Sequence, residues 1–534
     1  MGRGQETVAD QIAQAVAATG VRHAYGHPGG EVVLLIDALR RVGVDFVLTH
    51  HENVAAFMAS GQGELTGTPG VAIATLGPGA TNMVTGAASA LLERAPLLLF
   101  TGALARSAPA GTTHQALDLN ALYAPVTKRS FAVTPENAAA SIADAIALTT
   151  TSPHGPVHLS MPADVAGSSA VNEAPSPARR VAAARAATSA DTKALAAARG
   201  LLAGAKRPAI VVGLNALRED AAPQVRALAG ATGAIVATLP KAKGVFPEND
   251  AHFAGTLEMV GDDIVVEFLR GADVIVAAGV DVVEFDKPWR LDAPVIQVDV
   301  GAIDPTYLRS TVQVGGDLSA NLAALAPDRP STGWTAAELA AHRSVLDAFV
   351  RTTGAALQTW QVVRAVRSVL PPNAVAVSDV GAHKMVVGQA WEAYEPRTFF
   401  MANGLSSMGY SVPLAAAARL VQPETLAVSF VGDGGLSMYL GELETFVRLG
   451  LDLLIVVLVD GTLELIRRAQ VRRHVPFEGT SFGNPDFEAL GRAFGVSTFR
   501  AGSVAEVDRL LPAIMATRGV RLLAAEIDGD DYRF

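Results

Sequence analysis

Asp433 and Asp460 stand 27 positions apart, each at the end of a short apolar run. The first follows residues 426–431 and opens the string Gly432-Asp433-Gly434; the second closes residues 453–459 and precedes Gly461-Thr462. Both runs are continuous and rich in Val, Ile and Leu, as parallel strands covered on both faces are. The stretch between them, residues 438–449, reads as the crossover helix of a βαβ unit. Neighbouring parallel strands then present two carboxylates at one carboxyl edge, where open α/β sheets bind ligands. Two carboxylates beside glycine-rich backbone suit Mg²⁺ carrying a substrate's phosphates, because Mg²⁺ takes oxygen ligands and keeps phosphate oxygens among them. A lone Gly-Asp-Gly is more often a turn; the paired spacing is what speaks for a cation.

A third carboxylate, Glu52, follows a strand at 46–49 and His50-His51 and begins a helix. A helix N-terminus favours a carboxylate through the dipole alone, and burial in an apolar pocket raises a carboxylate's pKa so that it can share a proton near neutrality.

The elements that must position these groups are an alternation of apolar runs and helical stretches. A helix over 5–18 precedes the strand at 46–49; strands at 71–74 and 97–100 flank Gly77-Pro78-Gly79-Ala80-Thr81-Asn82 and a small-residue helix. A second α/β unit has runs at 208–213, 235–239, 274–278 and 295–300, and a third has 375–378, the carboxylate pair and 522–527. The fold class is α/β, with three doubly wound parallel-sheet domains expected at 1–170, 190–328 and 350–534. Segments 166–192 and 326–333, rich in Ala, Ser, Pro and Arg or Pro and Gly, read as linkers.

At 534 residues, half of them hydrophobic and 18% charged, the chain can build large cores. Its net charge of −10 disfavours nucleic acid, which needs a basic face. It has no cysteine, which excludes disulfides and thiolate chemistry. No run approaches the roughly 18 apolar residues of a membrane span. Met1 to Glu6 carries no apolar signal core, so the expected location is the cytoplasm.

The metal segment resembles the diphosphate-binding signature of thiamine diphosphate (ThDP) enzymes. The resemblance extends over nearly the full length and is strongest to the acetolactate synthase-like group. It is carried by Tyr25-Gly26-His27-Pro28-Gly29-Gly30, His51-Glu52, Gly77 to Asn82, Asp379-Val380-Gly381-Ala382-His383, Gly404 to Gly409 and the metal segment, in family order. It implies pyrimidine-binding, central and diphosphate-binding domains, with ThDP and Mg²⁺ as cofactors. Mg²⁺ ligands would be the Asp433 and Asp460 carboxylates and the Thr462 carbonyl. Many relatives carry Asn at the place of Asp460, so this chain adds a negative charge there. Glu52 would be the proton-relay carboxylate facing the aminopyrimidine, Met408 the residue between the two cofactor rings, and the Ser406 carbonyl an acceptor for its amine. Pro28, Val380, Gly381, His383, Gly434 and Gly435 would also face the cofactor. Gly30 would leave room for an acceptor carbonyl, Gln115 would stand beside the substrate, His114 would be a proton donor, and Lys128 would lie near the substrate channel.

Two departures stand out. Ala469 occupies the place of a Trp that shapes substrate preference in biosynthetic acetolactate synthases, and Asp281 stands about where an FAD-contacting Arg belongs. A carboxylate there repels a pyrophosphate, which puts FAD in doubt. The chain runs to Asp531–Phe534 without the long C-terminal lid of some relatives, so no such lid is expected.

The expected activity is ThDP- and Mg²⁺-dependent decarboxylation of a 2-oxo acid with ligation to a second carbonyl, a lyase or transferase reaction. The alternative is a non-ligating decarboxylase or a carboligase with another donor. A catalytically silent relative is disfavoured by Glu52, Asp433 and Asp460, and a Rossmann dehydrogenase by the lack of a Gly-x-Gly-x-x-Gly in the right setting. The resemblance implies an obligate homodimer and a homotetramer built from it, with a small 2-oxo acid as substrate and no nucleic acid or membrane as partner.

Overall fold

The structure is a computed structural model that describes residues 6–171, 192–289, 291–301, 306–326, 333–354, 356–529 and 532. Most of the two segments read as linkers and all of the chain's end but Tyr532 lie outside the described residues.

Three six-stranded sheets follow one another along the chain, and every strand pairing within them is parallel. The first holds β1 (His23–His27), β2 (Asp45–Leu48), β3 (Gly70–Ala74), β4 (Leu97–Ala103), β5 (Arg129–Ala132) and β6 (Pro156–Pro162), in the order β2-β1-β3-β4-β6-β5. The second holds β7 (Pro208–Val212), β8 (Ile235–Thr238), β9 (Phe253–Thr256), β10 (Val274–Ala278), β11 (Val295–Asp299) and β12 (Val312–Gly315), in the order β12-β11-β10-β7-β8-β9. The third holds β13 (Val375–Ser378), β14 (Phe399–Met401), β15 (Ala427–Gly432), β16 (Leu453–Val459), β17 (Ser497–Ala501) and β18 (Arg521–Glu526), in the order β14-β13-β15-β16-β18-β17. The expected α/β class with three parallel sheets flanked by helices is the observed one.

The second sheet shows why such strands read as unbroken apolar runs. Ile210 and Val212 enter one core, with Val236, Val276 and Ile296. Ala209 and Val211 enter the other, with Ile235, Ile275 and Val295. Alternate side chains point to opposite faces, and both faces are covered by helices.

The described chain groups into two compact units. One holds the first sheet with segments 404–423 and 439–451; the other holds the strands of the second and third sheets. Within the first unit, the helix Glu52–Thr66 is buried along nearly its whole length and packs along the helix Ser411–Val421. A methyl group at Gly61 would stand 2.6 Å from Leu414 Cγ, so the close approach of the two helices requires glycine.

The expected crossover helix at 438–449 is corrected. Helix begins at Asp433 itself (Asp433–Ser437), stops, and resumes as Glu442–Arg448 after Gly441.

Candidate active site

In the first unit Glu52 is the first residue of its helix and is 7% exposed. His51 caps the helix, its Nδ1 accepting from the Asn53 N–H at 3.0 Å. Asn82 donates to Glu52 Oε2 at 3.0 Å. A Cβ at Gly79 would lie 3.2 Å from Glu52 Oε1 and 2.7 Å from the Thr75 methyl, so glycine keeps that oxygen clear. The Gly77–Asn82 segment therefore approaches Glu52 from two sides, and Gln115 lies against its first residue, 2.9 Å from where a Gly77 side chain would begin.

Gln115 and Ser406 both hold left-handed backbone, at φ 56° and 55°. That conformation is uncommon outside glycine and tends to gather at functional positions. Met408 is only partly buried, so it is not a core methionine. Gly30 opens a short turn after β1 and is exposed; a Cβ there would meet nothing within 4 Å. Pro28 is exposed beside it, and His114 is exposed as well.

Lys128 is engaged by main chain. Its ammonium donates to the carbonyls of Leu148, Thr151 and Pro153 at 2.6–2.7 Å, clamping the end of the helix Ala138–Thr150. Three carbonyl acceptors close together are a structural role for a lysine.

Sequence reasoning missed Glu442. Its Oε1 accepts from the backbone N–H groups of His50 and His51 at 2.9 and 2.8 Å, and its Oε2 from the Thr445 hydroxyl at 2.7 Å. Tyr439, one turn earlier, accepts from Asn53 Nδ2 at 2.6 Å. The two residues before Glu52 and the one after it are thus held by the segment that follows Asp433. No motif announces this, because the partners are main-chain groups nearly four hundred positions away.

In the second unit β15 and β16 pair directly, Gly432 opposite Leu458, so the two carboxylates do share one sheet edge. Asp433 is 2% exposed, and its Oδ2 accepts from the N–H groups of Asp460 and Gly461 at 3.2 and 2.7 Å. Its Oδ1 accepts from Gly434 N–H at 2.9 Å. Asp460 Oδ1 accepts from the Thr462 N–H and hydroxyl at 3.0 and 3.2 Å. Burial, with the charges of Asp433 and Glu464 adding, pushes Asp460 up to about 6. Glu464 is itself neutralised by Arg467 and Arg468 at 2.6 and 2.8 Å. Gly461 turns at φ 68°, which suits glycine.

His383 is buried against Gly381 and Gly432, and its Nε2 has no partner. Burial, with the Lys384 charge adding, lowers it to about 4, so it is neutral at pH 7. A side chain at Gly435 would strike the Asp379 carboxylate, and Val380 is partly buried between that strand end and the helix Ala382–Ala390.

These groups fit a cation with a phosphate-bearing ligand. A buried carboxylate, Asp433, and a half-buried one, Asp460, at the ends of neighbouring strands suit a positive charge between them. Among the described residues no three His, Asp or Glu converge on a metal position, so further oxygens must come from main chain and ligand. The unpaired His383 nitrogen is free for an anionic oxygen.

The carboxyl edge of the second sheet is lined by buried acidic groups. Glu284, fully buried, accepts from Leu214 N–H at 2.7 Å at the start of the helix Leu214–Arg218, where a pyrophosphate would seek its donors. Burial pushes Glu284 up to about 8 and Asp299 up to about 7, and Asp281 caps its own turn through Val283 N–H at 3.1 Å.

Comparison with known proteins gives three consecutive matches to family profiles. They are "Thiamine pyrophosphate enzyme, N-terminal TPP binding domain" at 6–122, the central domain at 195–325 and the C-terminal TPP binding domain at 379–525. The chain is 30% identical to the catabolic acetolactate synthase of Raoultella terrigena, over 98% of this chain and 95% of that protein. It is 29% identical to the acetolactate synthase of Bacillus subtilis, over 99% and 94%. A probable 2-ketoarginine decarboxylase of Pseudomonas aeruginosa is 30% identical, over 97% and 93%.

Proposed function

We propose that this chain, which belongs to the thiamine pyrophosphate enzyme family, decarboxylates a 2-oxo acid and joins the remaining acyl carbon to a second carbonyl, as an acetolactate synthase-like enzyme. Bound thiamine diphosphate supplies the electron sink for loss of CO₂.

The chain's own residues carry the rest. Asp433, Asp460 and the Thr462 carbonyl would hold Mg²⁺ with the diphosphate. His383 and the amides of Gly434 and Gly435 would receive diphosphate oxygens. Glu52 would hold a proton at Oε1 for the aminopyrimidine, with Oε2 fixed by Asn82. Met408 and the Ser406 carbonyl would orient the rings, and Gln115, with His114 beyond it, would face the substrate.

The observation that carries ligation is the open space over Gly30. A side chain able to protonate the decarboxylated carbon is absent there, and an acceptor carbonyl has room. The crevice of Glu284 and Asp299 supports a reading without FAD. Non-ligating decarboxylation is the second reading, favoured by Ala469 and by the similarity to a protein named for that reaction. The proposal includes a cytoplasmic homodimer, and a homotetramer built from it; among the described residues no helix is long and apolar enough to cross a membrane.

NMR analysis of products from ThDP, Mg²⁺ and pyruvate tests it. Acetolactate is the expected product. Acetaldehyde alone would overturn ligation in favour of the second reading.

A further inference from the structure

Asn484 belongs to no motif, yet its Nδ2 donates to Asp433 Oδ2 at 2.7 Å. That oxygen also accepts from two backbone N–H groups, so its acceptor capacity is filled. The other oxygen, Oδ1, receives only Gly434 N–H and keeps a lone pair for a cation. The amide cannot be reversed, because its oxygen would then face a carboxylate oxygen. Its carbonyl oxygen is therefore fixed in place, buried and without a partner. A buried unpaired acceptor beside a candidate cation ligand calls for an explanation.

The residue also ends a clasp. Leu463 N–H donates to the Thr480 carbonyl at 2.7 Å, Phe482 N–H donates to the Gly461 carbonyl at 3.1 Å, and Thr462 and Ser481 form an antiparallel bridge. Segment 480–484 thus lies along the loop that carries Asp460 and finishes on Asp433.

We propose that Asn484 is a positioning residue of the cation site, holding Asp433 in its ligating pose and coupling segment 480–484 to cation occupancy. The inference rests on the reading of Asp433 as a Mg²⁺ ligand.

Mn²⁺ titration in the presence of ThDP, followed by loss of the free-ion EPR signal, tests it without turnover. Asn484→Ala should raise the Mn²⁺ Kd by about 10–100-fold, the usual range for removing a partner that orients a ligand. Asn484→Asp should not restore affinity, because it lacks the donor. Trypsin cleavage after the exposed Arg472 and Arg473 should slow on adding Mg²⁺ and ThDP to the unaltered protein and not to Asn484→Ala. If Ala does not fold, Asn484→Ser carries the same expectation. Unchanged Mn²⁺ affinity in Asn484→Ala, or full recovery in Asn484→Asp, would overturn the inference while leaving Asp433 as a ligand. Failure of the unaltered protein to bind Mn²⁺ would overturn both.

Discussion

Glu52 has one oxygen bound by Asn82 and the other kept clear by Gly79. That division of labour is what a carboxylate needs to hand a proton to a ring nitrogen from a fixed atom. Glu52→Gln keeps the shape and removes the titrating group. We expect kcat to fall at least about a hundredfold, measured by steady-state kinetics at saturating ThDP; retention of more than a tenth of the activity would contradict the role. At this scale residue type and spacing sufficed to place Asp433 and Asp460 at one sheet edge and Glu52 at a helix start. The sequence was not legible for Glu442 and Asn484. Their work is to hold main-chain N–H groups and a carboxylate, and such partners leave no mark on spacing. The main-chain partners of Lys128 were hidden for the same reason, since all three are carbonyls.

Most strands buried on both faces announced themselves. The runs at β7, β10, β13, β15 and β16 are apolar but for Ser378 and Ser429 and were placed within a residue or two. Edge strands such as β5, β12 and β14 are three or four residues long, and β5 and β12 are partly exposed, so no run marks them. Strand β6 is central yet was missed, because Pro156, His158 and Ser160 interrupt its pattern. Inside the fold His158 is satisfied by Thr101 and Ser130 at 2.8 and 2.7 Å and stacks on Tyr123 at 4.0 Å. The helix Glu52–Thr66 is buried nearly all round, so no polar face reveals its period.

The turn Val282–Glu284 carries a pH prediction. Burial raises Glu284 from an ordinary 4.5 to about 8, so the folded chain keeps a proton there that the unfolded chain releases between those values. Its contribution is present in full below 4.5 and is lost as pH rises toward 8. Glu284→Gln has no such proton. Melting curves from pH 5 to 8.5 should show the variant gaining on the unaltered protein as pH rises, and parallel curves would contradict the burial of that carboxylate as an acid.

For the whole molecule, three family domains in order and full-length similarity to acetolactate synthases define the class of chemistry. They leave the donor and acceptor to the open space at Gly30 and to Ala469. If the enzyme is an obligate homodimer, specific activity should fall on dilution in step with dissociation seen by analytical ultracentrifugation. A fully active monomer would contradict that assembly. The central claim is that the Asp433–Asp460 edge holds ThDP through Mg²⁺. Its most direct test is calorimetry of ThDP binding with and without Mg²⁺, to the unaltered protein and to Asp433→Ala. The account predicts Mg²⁺-dependent binding in the first and none in the second; equal binding in both would contradict it.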